Sequence, residues 1–409
     1  MCYSTEEKLL ADRFRRSDMS DTIKKITIEG FKSIRELKEF ELRSLNVLIG
    51  ANGAGKSNFV SFFRLLRELI DQRLQVAVAK EGGAARCLYL GPRMTKQLIA
   101  KLHFGNNSYE FVLEPTADDR LIFTEEKVTH YIPRIEHDTA LRSQHAETEI
   151  GPLHLQVKGG YWESKELAVS YLSKAVANWV VYHFHDTSDT APVRRPGQIN
   201  DNEFLRASAE NLAAFLFRVR QTDPTNYEKI RDVVRLAAPF FDDFKLRPDP
   251  TNPDMIRLEW LQKESDYPFL ASQLSDGTLR FICLATALLQ PLLPPTVLFD
   301  EPELGLHPYA LTLLANLFQQ AATQYGSFVP KQVIVSTQSA PLLNEFDPED
   351  VVVVERTQGQ STFRRLLTAD LSEWLKEYTL GELWQKNVLG GRPHSEDAPQ
   401  PLNSEPTRA

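Results

Sequence analysis

The stretch Leu45-Asn46-Val47-Leu48-Ile49-Gly50-Ala51-Asn52-Gly53-Ala54-Gly55-Lys56-Ser57 decides how this chain is read. An apolar strand runs into a glycine-rich loop of the form G-x4-G-K-[ST]. Phe59, Phe62, Phe63, Leu66, Leu69 and Ile70 then recur at the spacing of an amphipathic helix. Glycines let the backbone curl so that successive N–H groups face a polyphosphate at a helix N-terminus. Lys56 reaches the β- and γ-phosphates and the Ser57 hydroxyl ligates Mg²⁺. The expected ATP-binding residues are Gly50, Asn52, Gly53, Ala54, Gly55, Lys56, Ser57 and Asn58. A chance match arises about one or two per cent of the time in such a length, and the strand–loop–helix setting lowers that further.

Downstream, Thr296-Val297-Leu298-Phe299-Asp300-Glu301 is an apolar strand ending in two carboxylates. Alone it reads as a buried strand and a charged turn. Beside a phosphate loop, Asp300 completes the Mg²⁺ shell with Ser57. Glu301, one residue later, points differently and polarises the attacking water as general base. Two further segments belong to the pattern: Leu274-Ser275-Asp276-Gly277-Thr278 before the apolar helix Leu279–Leu289, and the strand Val333-Ile334-Val335-Ser336-Thr337-Gln338-Ser339.

The 409 residues suit one large or two ordinary domains. With 47 basic and 55 acidic side chains the net charge is −8, which argues against a uniformly basic nucleic-acid coat but not against a local groove. Cys2, Cys87 and Cys283 are far apart without metal-ligand spacing, a reduced, cytoplasmic pattern. The longest apolar stretch, Phe281–Phe299, is broken by Gln290, Pro291, Pro294 and Pro295, so neither a signal peptide nor a membrane span is expected.

The remaining pattern predicts strands over Ile26–Phe31 and around Phe40–Leu42, antiparallel hairpins over 98–131, and a helix over Glu163–Asn178 running into a strand at Trp179–Phe184. The polar stretch 187–202 reads as a mobile loop or lobe boundary, followed by helices across 203–239. The expected division is an extension over 1–22, an ATPase domain over 23–390 and a disordered tail over 391–409. Within the domain, a β-rich lobe with the phosphate loop spans about 23–186, a helical lobe about 203–295 and a closing core 296–390.

Together, Gly30-Phe31-Lys32-Ser33-Ile34, the phosphate loop, Leu274–Thr278, Asp300-Glu301-Pro302-Glu303-Leu304-Gly305-Leu306-His307-Pro308, Ser336–Pro341 and the closing Leu380–Trp384 to Gly390–Pro393 resemble one family. They are similar to the RecF-like, SMC-related branch of ABC-type ATPases. The likeness extends to stand-alone predicted ATPases and the ATPase part of overcoming-lysogenization-defect (OLD) nucleases. It covers residues 23–393. It implies an α/β fold: a P-loop NTPase of ABC type with an inserted antiparallel-β region and a helical lobe. It further implies a head-to-head homodimer in which Ser275, Asp276 and Gly277 form a signature presented in trans to the γ-phosphate. Gln338 stands where such proteins carry a switch histidine, so the catalytic set is Lys56, Glu301 and Gln338. His307 falls in the loop that crosses the dimer interface.

Two departures imply slow hydrolysis. Asp276 replaces the first signature glycine and brings a carboxylate near the γ-phosphate, and the Gln338 amide donates a hydrogen bond but carries no proton. Gln97 is a weak candidate for the family's Q-loop. The span between Ser57 and Ser275 has no sustained heptads, which excludes long coiled-coil arms.

Other features read as ordinary. His183-Phe184-His185 has metal-binding spacing but no third ligand, so strand-end residues are expected. Arg194-Arg195 and Lys24-Lys25 read as solvated surface. The leading expectation is an ATPase whose nucleotide state controls a separately encoded nuclease in an anti-phage system. The alternative is a DNA-repair or DNA-end-binding ATPase that clamps nucleic acid directly. A transporter cassette and a GTPase fit poorly.

Overall fold

The computed structural model describes residues 22–132, 135–141, 144–150, 173, 175–323 and 331–391. The expected extension before Thr22, the tail after Gly391 and most of the helix Glu163–Asn178 lie outside the described residues.

Along the chain the strands are β1 (Lys25–Phe31), β2 (Ile34–Glu41), β3 (Leu45–Ile49), β4 (Leu98–Phe104), β5 (Asn107–Pro115), β6 (Leu121–Ile132), β7 (Ile135–Ala140) and β8 (Trp179–Tyr182). They continue as β9 (Gly197–Gln198), β10 (Phe241–Phe244), β11 (Met255–Ile256), β12 (Glu259–Gln262), β13 (Pro268–Leu270), β14 (Thr296–Asp300), β15 (Gln332–Ser336), β16 (Val351–Thr357) and β17 (Gln360–Arg365).

Two six-stranded sheets dominate. The first, ordered β2-β1-β4-β5-β6-β7, is antiparallel throughout and contains the expected hairpins. The second is ordered β17-β16-β3-β15-β14-β8 and is parallel except for β17. Its central strands are buried on both faces, which is why they read as unbroken apolar runs.

Alternation along those strands divides the core into two layers. Val47, Val297, Phe299, Val333, Val335, Val351 and Val353 face one layer, shared with the helices Leu212–Thr222, Pro224–Ala237, Asp276–Leu289 and Pro308–Thr323. Leu48, Leu298, Ile334, Val352 and Val354 face the other, filled by the helix Lys56–Ile70 and the apolar side of the antiparallel sheet. In that helix Phe59, Phe62 and Phe63 are fully buried. Phe62 meets Phe31 edge-on at 5.4 Å, Phe59 meets Phe363 at 5.4 Å and Phe63 meets Trp179 at 5.5 Å. Each such ring contributes about 1.5–3 kcal/mol on burial, so the helix behind the phosphate loop is fixed from three sides.

The segment 187–202, expected as a mobile loop or lobe boundary, carries local structure. Pro192–Arg194 forms a turn of 3₁₀ helix, β9 pairs with β11, and Ala191 and Val193 are buried in the first core layer. Arg194 and Asn202 bond to main-chain carbonyls and the Ser188 hydroxyl to Asp186, so the turn-rich composition here accompanies irregular, partly buried backbone. Among the described residues, no helix is long and apolar enough to cross a membrane.

Candidate nucleotide site

Ligand sites of open α/β sheets lie beyond the carboxyl ends of the strands. Here β3 ends at the phosphate loop, β14 at Asp300 and β15, lying between them, at Ser336. The order β3-β15-β14 therefore sets Gln338 between the loop and the paired acids.

The loop itself uses glycine where nothing else fits. Gly55 has φ 119°, and a Cβ there would lie 2.0 Å from Ser361 Oγ. Gly53 has φ 79° with open space around the missing side chain. The helix Lys56–Ile70 begins without a side-chain cap, leaving first-turn N–H groups to the loop's concave face. This fits a polyphosphate, whose oxygens satisfy such donors. Lys56 is buried; its Nζ donates to Gly50 O at 2.6 Å and to Ala51 O at 3.2 Å. Burial holds the ammonium pKa below the ordinary lysine range, opposed by the charges of Glu301, Asp300 and Glu303.

Braces the sequence did not reveal hold the loop from behind. Ser361 Oγ donates to Ala54 O at 2.5 Å and lies 2.7 Å from Ser33 Oγ, which accepts from Asn58 Nδ2 at 2.6 Å. The Asn58 side chain, expected at the nucleotide, is thus engaged with Ser33. Ala51 N–H donates to Gly391 O at 2.7 Å, so the closing segment supports the loop directly.

The parallel register pairs Asp300 with Ser336, and the Ser336 hydroxyl donates to Asp300 Oδ1. Asp300 Oδ2 faces Arg64 Nη2 at 3.7 Å. With Oδ2 and the exposed Ser57 hydroxyl on adjacent elements, the donor set fits an oxygen-seeking Mg²⁺ ion. Glu301 takes φ 44°, a left-handed conformation that costs a non-glycine residue about 1–3 kcal/mol. The kink breaks the strand's alternation. Gln338 Nε2 donates to Glu301 Oε1, and Gln338 N–H donates to Glu303 Oε1 at 2.8 Å. Glu303 Oε2 is buried without a partner, and burial raises this carboxyl's pKa. Sequence reading gave Glu303 no role.

β8 supplies a second omission. It pairs with β14 so that Tyr182 faces Phe299, which carries His183 and His185 alongside the acids. His185 Nε2 lies 2.7 Å from Asp300 O, and His183 Nδ1 lies 3.4 Å from Arg64 Nη2. The two rings sit 4.3 Å apart, and burial lowers the His183 pKa. Among the described residues no group of three or more His, Cys, Asp or Glu side chains is placed to hold a metal ion; the two histidines lie beside Asp300 and Arg64. Gln97 lies elsewhere: just before β4, it donates to Glu114 Oε1 at 2.7 Å. The loop after β8 occupies the place beside Asp300 that Gln97 does not reach.

The signature segment is bonded elsewhere than to the phosphate loop. Ser275 caps the helix Asp276–Leu289, accepting from Thr278 N–H at 3.2 Å, and is exposed. A Cβ on Gly277 would meet Gly305 O at 2.1 Å, so this glycine permits close approach of the Glu303–His307 loop. His307 is exposed between exposed Leu304 and Tyr309. Arg194, read as surface, has a side chain only 4% exposed and pairs with Asp276 at 2.8 Å. Its hydrogen bonds to buried carbonyls explain why this side chain does not face water, whereas Arg195 is exposed as expected.

Known proteins resemble this arrangement. The crystal structure of the SmcHead bound to the C-winged helix domain of ScpA aligns with a TM-score of 0.54 at 14% identity, covering 86% of this chain and 99% of that one. The Smc head domain with an extended coiled coil, bound to the C-terminal domain of ScpA derived from Pyrococcus furiosus, gives 0.53 at 15% identity, covering 87% and 98%. At such identities the likeness is one of fold alone, that of an SMC head domain. No curated protein matches the chain. A family model described as "AAA domain, putative AbiEii toxin, Type IV TA system" matches residues 45–344, and the chain belongs to that family of P-loop ATPases.

Proposed function

We propose that the protein binds and hydrolyses ATP with Mg²⁺, dimerises head to head, and uses its nucleotide state to control a separate nuclease effector in anti-phage defence. The observation that carries this reading is the convergence of Asp300, Glu301 and Gln338 at the ends of β14 and β15, with β15 next to the strand β3 that leads into the phosphate loop. In this reading Lys56 and the helix N-terminus hold the phosphates, Glu301 takes a proton from the attacking water, and Gln338 orients Glu301. Ser57 and Asp300 would hold Mg²⁺, which when bound would supply charge neutralisation for the phosphates. Gln338 donates without carrying a proton, which suits slow turnover and a latch rather than a motor.

Dimerisation is supported by geometry of a negative kind: exposed Ser275 makes its hydrogen bonds within its own helix turn, with none to the phosphate loop of the same chain. A partner in trans is supported by the SMC heads, solved with a separate protein, ScpA, and by a family description that names a toxin system. Free energy passes to such a partner only through contacts that differ between nucleotide states.

The test uses Glu301→Gln in mass photometry with and without Mg-ATP, then co-purification with the product of the adjacent gene and nucleic-acid cleavage assays. More dimer with Mg-ATP, and cleavage that follows nucleotide state, are expected. Unchanged mass at saturating nucleotide overturns the dimer. Cleavage indifferent to nucleotide, together with steeply salt-dependent DNA binding by the isolated chain, transfers the assignment to a direct DNA clamp.

A further inference from the structure

Arg194 belongs to none of the motifs, yet its guanidinium donates to Thr187 and, with both terminal nitrogens, at and just before the signature segment. Nε donates to Thr187 O at 2.8 Å, just after the strand-end histidines. Nη1 donates to Ala271 O and to Leu274 O, the latter at 3.2 Å. Nη2 donates to Leu274 O at 3.3 Å and to Asp276 Oδ1 at 2.8 Å. The guanidinium is buried, whereas the carboxylate it meets is 63% exposed. A planar fork of five donors can hold carbonyls and a carboxylate at once; an ammonium cannot.

These contacts bear on both sides of Ser275. The carbonyl of Leu274 lies immediately before it and that of Ala271 four residues before, with Asp276 immediately after. Arg280, on the same helix, ties the other end of the device: Nε donates to Phe184 O at 2.8 Å, Nη2 to His185 O at 3.0 Å and Nη1 to Leu304 O. The segment beside Asp300, the loop after Glu301 and the signature turn are thus joined through two arginines of one chain.

We propose that Arg194 is the positioning residue of the signature turn and the internal counter-charge of Asp276. The aspartate in place of glycine is then half of an intrachain ion pair. It presents little net negative charge to a phosphate facing Ser275. Its presence and that of a buried arginine explain each other: the carboxylate anchors the fork, and the fork cancels the carboxylate. The proposal rests on the reading that Ser275 faces the nucleotide of a second protomer. It shifts the cause of slow turnover from Asp276 to Gln338.

The experiment compares Arg194→Ala, Arg194→Lys, Asp276→Gly and Arg194→Ala/Asp276→Gly, each in the full chain and each also carrying Glu301→Gln for association. Binding of a fluorescent ATP analogue, Mg-ATP-driven dimer by mass photometry, and steady-state turnover are the readouts. Arg194→Ala is expected to keep analogue binding and to lose dimer and turnover by at least about tenfold. The double variant should regain part of that loss because the uncancelled carboxylate is gone. Arg194→Lys should behave between wild type and Arg194→Ala. Asp276→Gly alone leaves the buried Arg194 fork without its carboxylate, so it should lower dimer and turnover, but by less than Arg194→Ala. A purely structural arginine would give a loss that Asp276→Gly cannot relieve, and that result overturns the counter-charge. Normal association by Arg194→Ala overturns the positioning role. If Arg194→Ala does not fold, a large gain in turnover by Asp276→Gly alone still refutes the cancelled charge. Failure of the Glu301→Gln parent to dimerise defeats the trans site itself, a result separate from any of these.

Discussion

The Gln338 side chain donates to the Glu301 carboxylate while its backbone N–H donates to Glu303. One residue just after β15 thereby contacts two acids just after β14, and the proposed general base is held by an amide whose charge never changes. Removing the amide should free Glu301 without touching the phosphate loop. Gln338→Ala is expected to lower kcat by about 10²-fold with little change in KM for ATP. Gln338→His should restore part of the rate and introduce a pH limb near about 6.5 that wild type lacks. A pH-independent, fully active Gln338→Ala enzyme would show that this contact has no part in turnover.

Lys56 and Glu301 separate binding from chemistry. Lys56→Ala is expected to abolish tight nucleotide binding, whereas Glu301→Gln keeps binding and slows turnover by about 10²-fold or more. Because burial lowers the Lys56 pKa, affinity should also decline on the alkaline side before the ordinary lysine range is reached. Titration of a fluorescent analogue across pH checks this. Equal rates for wild type and Glu301→Gln would reassign the base.

What could be read from sequence was local. The phosphate loop, the acid pair and the strand ending at Gln338 each declare themselves within a few contiguous residues, because the backbone run and the reactive groups are covalently linked. What could not be read depends on pairing distant segments. Ser33 and Ser361 meet across the chain to brace Ala54, and Gly391 O takes the Ala51 N–H. His185 reaches Asp300 only because β8 joins β14 in a particular register. Arg194 was misread for a different reason: a charged side chain is usually solvated, and only a ring of main-chain carbonyls makes its burial tolerable.

Glu303 provides a test by pH. Its pKa is raised in the folded state, chiefly by burial, so the folded chain holds this proton where the unfolded chain has lost it. Stability from this group is therefore complete below the ordinary carboxylate value and falls as pH rises through the raised one. Glu303→Gln retains an oxygen for the Gln338 N–H and removes the titration. The variant should melt higher than wild type at about pH 7.5, with the advantage shrinking toward about pH 4. An advantage of equal size at both values, or none, contradicts a buried, proton-seeking Glu303.

Gly391 tests whether the closing segment supports the nucleotide site. Its φ is 82°, and a Cβ would sit 3.3 Å from both Gly50 Cα and Trp384 Nε1, directly behind the phosphate loop. Gly391→Ala therefore imposes left-handed strain of about 1–2 kcal/mol and pushes on Gly50 as well. Gly359 supplies the control, since its φ of 79° is nearly the same but its surroundings are open, with Tyr89 OH the nearest atom at 3.8 Å. Both alanine variants should lower the melting temperature by similar amounts. Only Gly391→Ala should raise KM for ATP, by about three- to tenfold if roughly 1 kcal/mol of the displacement reaches the loop. The Ala51 N–H to Gly391 O bond is the route for that displacement. Equal KM values for the two variants would mean that strain at the closing segment is absorbed before it reaches the phosphate loop.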